Sequence, residues 1–212
     1  MSARYCVVGS INMDLVAKVD RFPKPGETRT GSAFGTYPGG KGANQAVALG
    51  RLGAAVTMAG KIGGDVFGSS YQETFDSEGV NRTIVEVVDD LSTGVAVIEV
   101  DESGENHIVI VPGANGEMDR EYIERNIETI AEADYILFQL EIPLHTIQHT
   151  LSLLKDRKGT TILDPAPAPK KPLPKELLRN VDLITPNESE AKSLTGIAVQ
   201  DDGSARKAAH EL

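Results

Sequence analysis

One cysteine, Cys6, occurs in 212 residues. A lone thiol excludes an intrachain disulfide and any cysteine-rich zinc site. Positive charge is scarce: 21 Lys and Arg stand against 31 Asp and Glu, a net charge of −10, with no basic block. Such a chain lacks the cations that neutralise phosphates, so nucleic acid is excluded as a generic partner, and an anionic membrane surface with it. Long apolar runs are missing too. None reaches the ~18 residues that a membrane-spanning helix needs, and the start of the chain has no signal-peptide core. The expected compartment is the cytoplasm. What the chain does have is an ordinary globular composition, 40% hydrophobic and 25% charged. Its length fits one domain, or one with a small appendage, and suffices to bury roughly 70% of the surface that the unfolded form exposes.

Short runs rich in Val, Ile and Leu recur at Tyr5–Gly9, Val56–Ile62, Tyr135–Leu140, Thr160–Asp164 and Val181–Thr185. Nearly continuous apolar runs mark strands buried on both faces of a parallel sheet. Helical spacing fills the gaps. Leu144, Ile147, Leu151 and Leu154 line one face of a helix predicted over Leu144–Arg157. Further helices are predicted over Phe67–Glu78, stopped by Gly79, and over Asp119–Thr129. This alternation predicts an α/β fold, a mainly parallel, doubly wound sheet in three layers. Two stretches interrupt it, residues 15–38 and 93–111. The second reads as a hairpin, Gly94–Val100 and His107–Val111 around a turn through Gly104. With no helices between their strands, the two stretches are expected to form a separate small antiparallel sheet. That sheet is either a pair of surface hairpins or a lid over a site. The proline-rich stretch 165–174 contains a PxxP match at Pro169–Pro172 and reads better as a stiff loop after a strand. Gly203–Leu212 opens a helical pattern with no strand after it, so the architecture is expected to continue beyond residue 212.

Gly35–Lys41 satisfies the GxxxxGK part of a P-loop, but the next position must offer a hydroxyl to Mg²⁺ and is Gly42. No GxGxxG is present either, so neither phosphate-binding loop is supported. What remains is Gly39-Gly40-Lys41-Gly42-Ala43-Asn44-Gln45 ahead of an Ala, Val and Leu helix. These glycines permit unusual backbone angles and close approach of a ligand. The helix that follows is expected to start with free N–H groups that favour polar or anionic partners. Tight packing through Gly and Ala explains the same residues without a ligand. Asn12 and Asp14 lie just past the first apolar run, and Glu141 just past Tyr135–Leu140. Ligands of open α/β sheets bind outside the carboxyl ends of strands. A carboxylate there can accept bonds from adjacent hydroxyls, as a sugar presents, although Asn and Asp also favour turns by themselves. Asn187 and Glu190 follow the run ending at Thr185. They match a capping box; alternatively they place an amide and a carboxylate by nucleotide phosphates and hydrated Mg²⁺. His145 and His149 share a predicted helix face with Gln148, Ser152 and Asp156 and read as a solvated surface, not as metal ligands. Cys6 is expected in packing.

Seven segments, taken together, carry a resemblance. They are Gly9-Ser10-Ile11-Asn12-Met13-Asp14, the run from Gly39 to Ala48, and Ser92-Thr93-Gly94-Val95-Ala96. Gly113-Ala114-Asn115, Gln139-Leu140-Glu141, Asp164-Pro165-Ala166-Pro167-Ala168 and Thr185-Pro186-Asn187-Glu188 follow in order. With them the chain resembles the ribokinase-type carbohydrate kinases over essentially its whole length. Within that family, Asn-Met-Asp and Gly-Gly-Lys-Gly-Ala-Asn are the pattern of the ribokinases. The resemblance implies ATP-dependent phosphorylation of D-ribose at its 5-hydroxyl. It implies a ribose site lined by Asn12, Met13, Asp14, Gly40, Lys41, Gly42, Ala43, Asn44 and Glu141, with Asp14 and Asn44 on ring hydroxyls. It also implies that Asn187 faces the ATP phosphates and that Glu190 acts on Mg²⁺ through water. The small sheet would cover the sugar, keeping water from the transferable phosphoryl group, and would build a homodimer interface.

One part of the family pattern is missing. A late Gly-Ala-Gly-Asp segment supplies the family's catalytic base and the amides that stabilise the transferring group, and no such segment occurs here. That base, the adenine pocket and the loop for a monovalent cation such as K⁺ are therefore expected beyond residue 212, and residues 1–212 alone are expected to be inactive. Two other readings stay open: a sibling kinase for another pentose, a nucleoside or fructose, and a non-catalytic sugar-binding module.

Overall fold

A computed structural model of the chain describes residues 3–212. In order, their elements are β1 (Arg4–Val8), β2 (Asn12–Lys18), β3 (Ala33–Gly39), α1 (Lys41–Arg51), β4 (Ala55–Gly63), α2 (Val66–Ser77), β5 (Asn81–Val88), β6 (Gly94–Val100) and β7 (Asn106–Val111). A 3-10 turn, Gly113–Glu117, leads on to α3 (Arg120–Ala131), β8 (Tyr135–Phe138), α4 (Leu144–Leu154), β9 (Thr160–Leu163), α5 (Lys175–Arg179), β10 (Leu183–Ile184), α6 (Glu188–Thr195) and α7 (Asp202–Glu211).

Six strands pair in parallel in the order β10-β9-β8-β1-β4-β5. Successive side chains of a strand point to opposite faces, and β1 shows the result. Cys6 and Val8 pack with Tyr122 and Ile123 of α3 and with Ile147 and Leu151 of α4. Val7 packs on the other side with Ala43 and Ala46 of α1 and with Tyr71 and Phe75 of α2. Helices therefore cover both faces in the expected three layers. Each large apolar side chain so buried contributes roughly 1.5–3 kcal/mol. Cys6 lies wholly inside, and burial pushes its thiol up to about 12, as befits packing. Helix starts are fixed locally. Asp65 caps α2 by accepting from the Gly68 N–H at 2.8 Å, and Asp119 caps α3 by accepting from the Tyr122 N–H at 2.8 Å.

The remaining strands form the small sheet, in the order β3-β2-β6-β7. β2 with β3 and β6 with β7 are antiparallel, as expected, but the central pair β2 and β6 runs parallel. The sheet is thus mixed, which corrects the antiparallel expectation. Between β3 and β6 the chain passes through α1, β4, α2 and β5, a crossover long enough to return beside β2 in the same direction. A second difference is β5, which sequence patterning misses. It lies at the edge of the large sheet, half-buried, with Arg82, Thr83 and Glu86 among its apolar residues. Residues 165–174 form an irregular loop after β9, as expected.

From β1 the large sheet grows through β4 and β5 on one side, then through β8, β9 and β10 on the other. The direction of winding reverses between β1 and β8. A crevice opens at the carboxyl ends of strands at such a switch point.

Candidate functional site

Glu141 stands beyond β8, on one lip of this crevice. Its Oε2 accepts from the Ser10 hydroxyl at 2.6 Å, across from the end of β1, and from the Lys41 N–H at 3.0 Å. The next two N–H groups of α1 are also engaged. Gly42 N–H reaches the Ser10 hydroxyl at 3.4 Å, and Ala43 N–H the Ser10 carbonyl at 2.9 Å. The start of α1 is therefore not free for a ligand, contrary to expectation. The protein supplies the anion itself, and the carboxylate is favoured there by the helix dipole. Two glycines permit this closure. Gly40 turns at φ 87°, and a Cβ on Gly42 would come within 2.7 Å of the Gly9 and Ser10 backbone.

Asp14 enters from β2. Burial first, then the Glu141 carboxylate, raises its pKa, while the Lys41 ammonium pulls it down. Asp14, Glu141 and Lys41 thus share one electrostatic neighbourhood. The Asp14 carboxylate lies over Gly39, where any Cβ would overlap it. Tyr71 donates to the Gly39 carbonyl beneath, and burial together with Asp14 raises the Tyr71 pKa. Asn12 is two residues from Asp14, on the same face of β2. Asn44 is exposed on the first turn of α1, three residues from Lys41 and on the same side of the helix.

Strand alternation turns the Met13 side chain away from Asn12 and Asp14. Asn12 and Met13 are each 3% exposed, but Met13 packs within the apolar cluster of Ile11, Ala43 and Ala46. Ala43 is buried in the same cluster, so neither side chain lines a ligand surface. Gly40 and Gly42 act through close approach instead.

The nucleotide-side expectation falls on α6. Asn187 Oδ1 accepts from the Glu190 N–H at 2.9 Å, while Glu190 Oε2 accepts from the Asn187 N–H at 2.8 Å and Oε1 from Asn187 Nδ2 at 2.9 Å. The capping-box alternative is what these side chains form. Both Glu190 oxygens are thus taken up by Asn187, and Glu190 is buried, so neither oxygen is placed as a direct metal ligand. Among the described residues no cluster of three or more His, Cys, Asp or Glu could hold a metal ion. His149 instead pairs with Glu124 at 2.9 Å.

Asp164, at the end of β9, joins the two halves. It accepts from Gln45 Nε2 at 3.0 Å, and Gln45 Oε1 accepts from the buried Gln139 Nε2 at 2.6 Å. Burial first, then Glu190, raises the Asp164 pKa; Lys41 opposes, and Glu141 adds to the rise. Ser10, Gln45, Gln139 and Asp164 all lie in the segments that carry the resemblance, yet sequence reasoning gives them no role. Gln139 and Asp164 directly follow β8 and β9, so the strand-end rule that selects Glu141 selects them as well.

Among the described residues no helix is long and apolar enough to cross a membrane. Residues 2–212 match the pfkB family carbohydrate kinase. The chain is 44% identical over 203 residues to ribokinase from Haemophilus influenzae, covering 96% of this chain and 66% of that protein. It is 38% identical over 206 residues to a deoxyribokinase from Salmonella typhi, covering 97% of this chain and 67% of that one. Among solved structures, Arabidopsis thaliana ribokinase complexed with ribose and ATP superposes with a TM-score of 0.92 at 33% identity, covering all of this chain and 68% of that one. The chain spans 66% of the Haemophilus relative and 64% of the ribokinase of Bacillus subtilis, to which it is 43% identical. With the sheet reversing its winding between β1 and β8, Glu141 beside that reversal and a family match along nearly every residue, the chain belongs to the pfkB family of carbohydrate kinases.

Proposed function

We propose that these residues form the sugar-binding part, and one edge of the nucleotide-binding part, of an ATP-dependent kinase that converts D-ribose to D-ribose 5-phosphate. The observation that carries this reading is that Glu141 joins the Ser10 hydroxyl and the Lys41 N–H beside the end of β1, with Asp14 in the same electrostatic neighbourhood. A hydroxyl both donates and accepts, so it is best held between an acceptor and a donor. In this reading Asp14 accepts from ring hydroxyls, Glu141 accepts through Oε1, and Lys41 and Asn44 donate. Gly40 and Gly42 let the backbone close on the sugar. Asn187 directs its remaining Nδ2 hydrogen to an ATP phosphate, and Glu190 orders water around Mg²⁺. When bound with ATP, that ion neutralises charge on the phosphates. The small sheet acts as a lid, and its exposed apolar residues Val109 and Val111 support a homodimer through it, in a cytoplasmic setting.

The base that deprotonates the sugar hydroxyl, the adenine pocket and the K⁺ loop are assigned to segments that residues 1–212 do not contain. Residues 1–212 are therefore expected to bind ribose without turning it over. Calorimetric titration with ribose, 2-deoxyribose, adenosine and fructose, paired with a coupled ADP assay, tests this. Saturable ribose binding without turnover supports the reading. Turnover at an ordinary kinase rate overturns the placement of the base, and a folded protein that binds no sugar overturns the site. Tighter binding of 2-deoxyribose selects the second reading, favoured by the 38% identity to a deoxyribokinase.

A further inference from the structure

We propose that Asn115 is a positioning residue for the sugar site: it fixes the Asn12 side chain so that Asn12 offers a ligand its Nδ2, a donor. The inference rests on the sugar-site reading above. Asn115 lies in the 3-10 turn Gly113–Glu117, where the chain returns from the small sheet, and it is buried. Its Oδ1 accepts from the Ile11 N–H at 2.9 Å. Its Nδ2 donates to the Ile11 carbonyl at 3.0 Å and to Asn12 Oδ1 at 2.8 Å. The N–H and C=O of one residue are thus both met by one amide, which carries an acceptor and a donor side by side. Those two bonds fix the orientation of Asn115, because the reversed amide would set donor against donor and acceptor against acceptor. The second Nδ2 hydrogen then requires an acceptor, and Asn12 turns its Oδ1 towards it. Nδ2 is left as the polar atom that Asn12 can present on the β2 face shared with Asp14.

Gly94 holds this arrangement from the other side. It is the register partner of Asn12 on β6, and a Cβ there would overlap both Asn115 Nδ2 and Asn12 Oδ1. The orientation matters because the ionised carboxylates of Asp14 and Glu141 only accept. A third acceptor would leave a hydroxyl oxygen unmet, whereas a fixed donor meets its lone pair.

A double-mutant cycle with ribose on residues 1–212 tests the route. In Asn115→Asp the new carboxylate still accepts from Ile11 N–H; its other oxygen loses the bond to the Ile11 carbonyl and forces Asn12 to donate to it, turning Asn12 Oδ1 towards the ligand. Asn12→Ala removes the donor altogether. Each single variant is expected to bind ribose about 3- to 10-fold more weakly, the range of one neutral hydrogen bond. In the Asn12→Ala background, Asn115→Asp is expected to add nothing. Additive losses overturn the proposal, since Asn115 would then act by a route other than Asn12. A second measurement needs no variant: side-chain amide exchange followed by NMR. The Asn115 amide is expected to be protected with or without ribose, and exchange of the amide of Asn12, a residue only 3% exposed, to slow further when ribose is added. An Asn12 amide whose exchange ribose leaves unchanged overturns the proposal. A folded parent chain that binds no ribose is a failure of the sugar-site reading, distinguishable because Asn115 protection still reports the clip on Ile11.

Discussion

Replacing Gly42 by alanine sets two effects of opposite sign against each other. In an exposed helix interior the change stabilises by about 1 kcal/mol, because glycine loses more backbone freedom on folding. At Gly42 the added Cβ would lie 2.7 Å from Gly9 C and Ser10 N, which are backbone atoms that cannot rotate away. Favourable carbon contacts begin near ~3.5 Å, so α1 or the Gly9–Ser10 turn must retreat by several tenths of an ångström. Overpacking of this kind costs ~1–3 kcal/mol. The retreat also stretches the bonds from the Lys41, Gly42 and Ala43 N–H groups to Glu141 and Ser10. Each is worth ~0.5–1.5 kcal/mol, more where the acceptor is ionised. The close approach outweighs the propensity, and Gly42→Ala is expected to lose about 2–4 kcal/mol net. Urea unfolding followed by circular dichroism reads this as a lower midpoint at unchanged slope. The melting temperature should fall by about 5–15 °C for a chain of this size. Equal or greater stability in the variant would refute the contact between α1 and the β1 turn, and with it the engaged helix start.

Asp14→Asn is expected to bind ribose roughly 10- to 150-fold more weakly, the range for a bond to a charged group, by calorimetry. The same variant should be more stable than the parent at neutral pH. A raised folded pKa means that the folded chain holds this proton more tightly than the unfolded chain, so ionised Asp14 costs stability above the window and nothing below the ordinary 3.8. The stability difference should therefore shrink as pH falls towards 3.8, while ribose binding by the parent weakens over the same descent. Constant differences across that range would count against the buried carboxylate pair. Asp65→Ala removes a cap and the acceptor for the Thr93 N–H and hydroxyl, at 2.8 and 2.6 Å. About 2–4 kcal/mol should be lost in urea unfolding, and a loss below about 0.5 kcal/mol would show that Asp65 does not tie α2 to β6.

The layers of the large sheet were legible because they rest on local patterns. Val7 and Val8 sit in a continuous apolar run, and Leu144, Ile147, Leu151 and Leu154 repeat at helical spacing. The parallel pairing of β2 with β6 was not legible, since direction depends on a crossover of more than fifty residues that carries no local mark. Asp14 and Glu141 were selected by position along the chain; Glu141 does lie just past β8, whereas Asp14 lies within β2. Their companions were not so selected: Ser10 Oγ on Glu141, Gln45 on Asp164 and Asn115 on Ile11 are contacts between residues about a hundred or more apart. Met13 was misplaced because its motif neighbours face the crevice and alternation turns it the other way.

Glu141 at the mouth of α1 also bears on what leaves the crevice. A sugar arrives uncharged, but its phosphate ester carries ~1.5–2 negative charges at neutral pH. Asp14 and Asp164 already draw on the ammonium of Lys41, and Glu141 adds its own negative charge beside them. On the proposed reading, an ester whose phosphate stays beside them adds anion to anion, so a cleft that holds a neutral polyol would release it once it has been esterified.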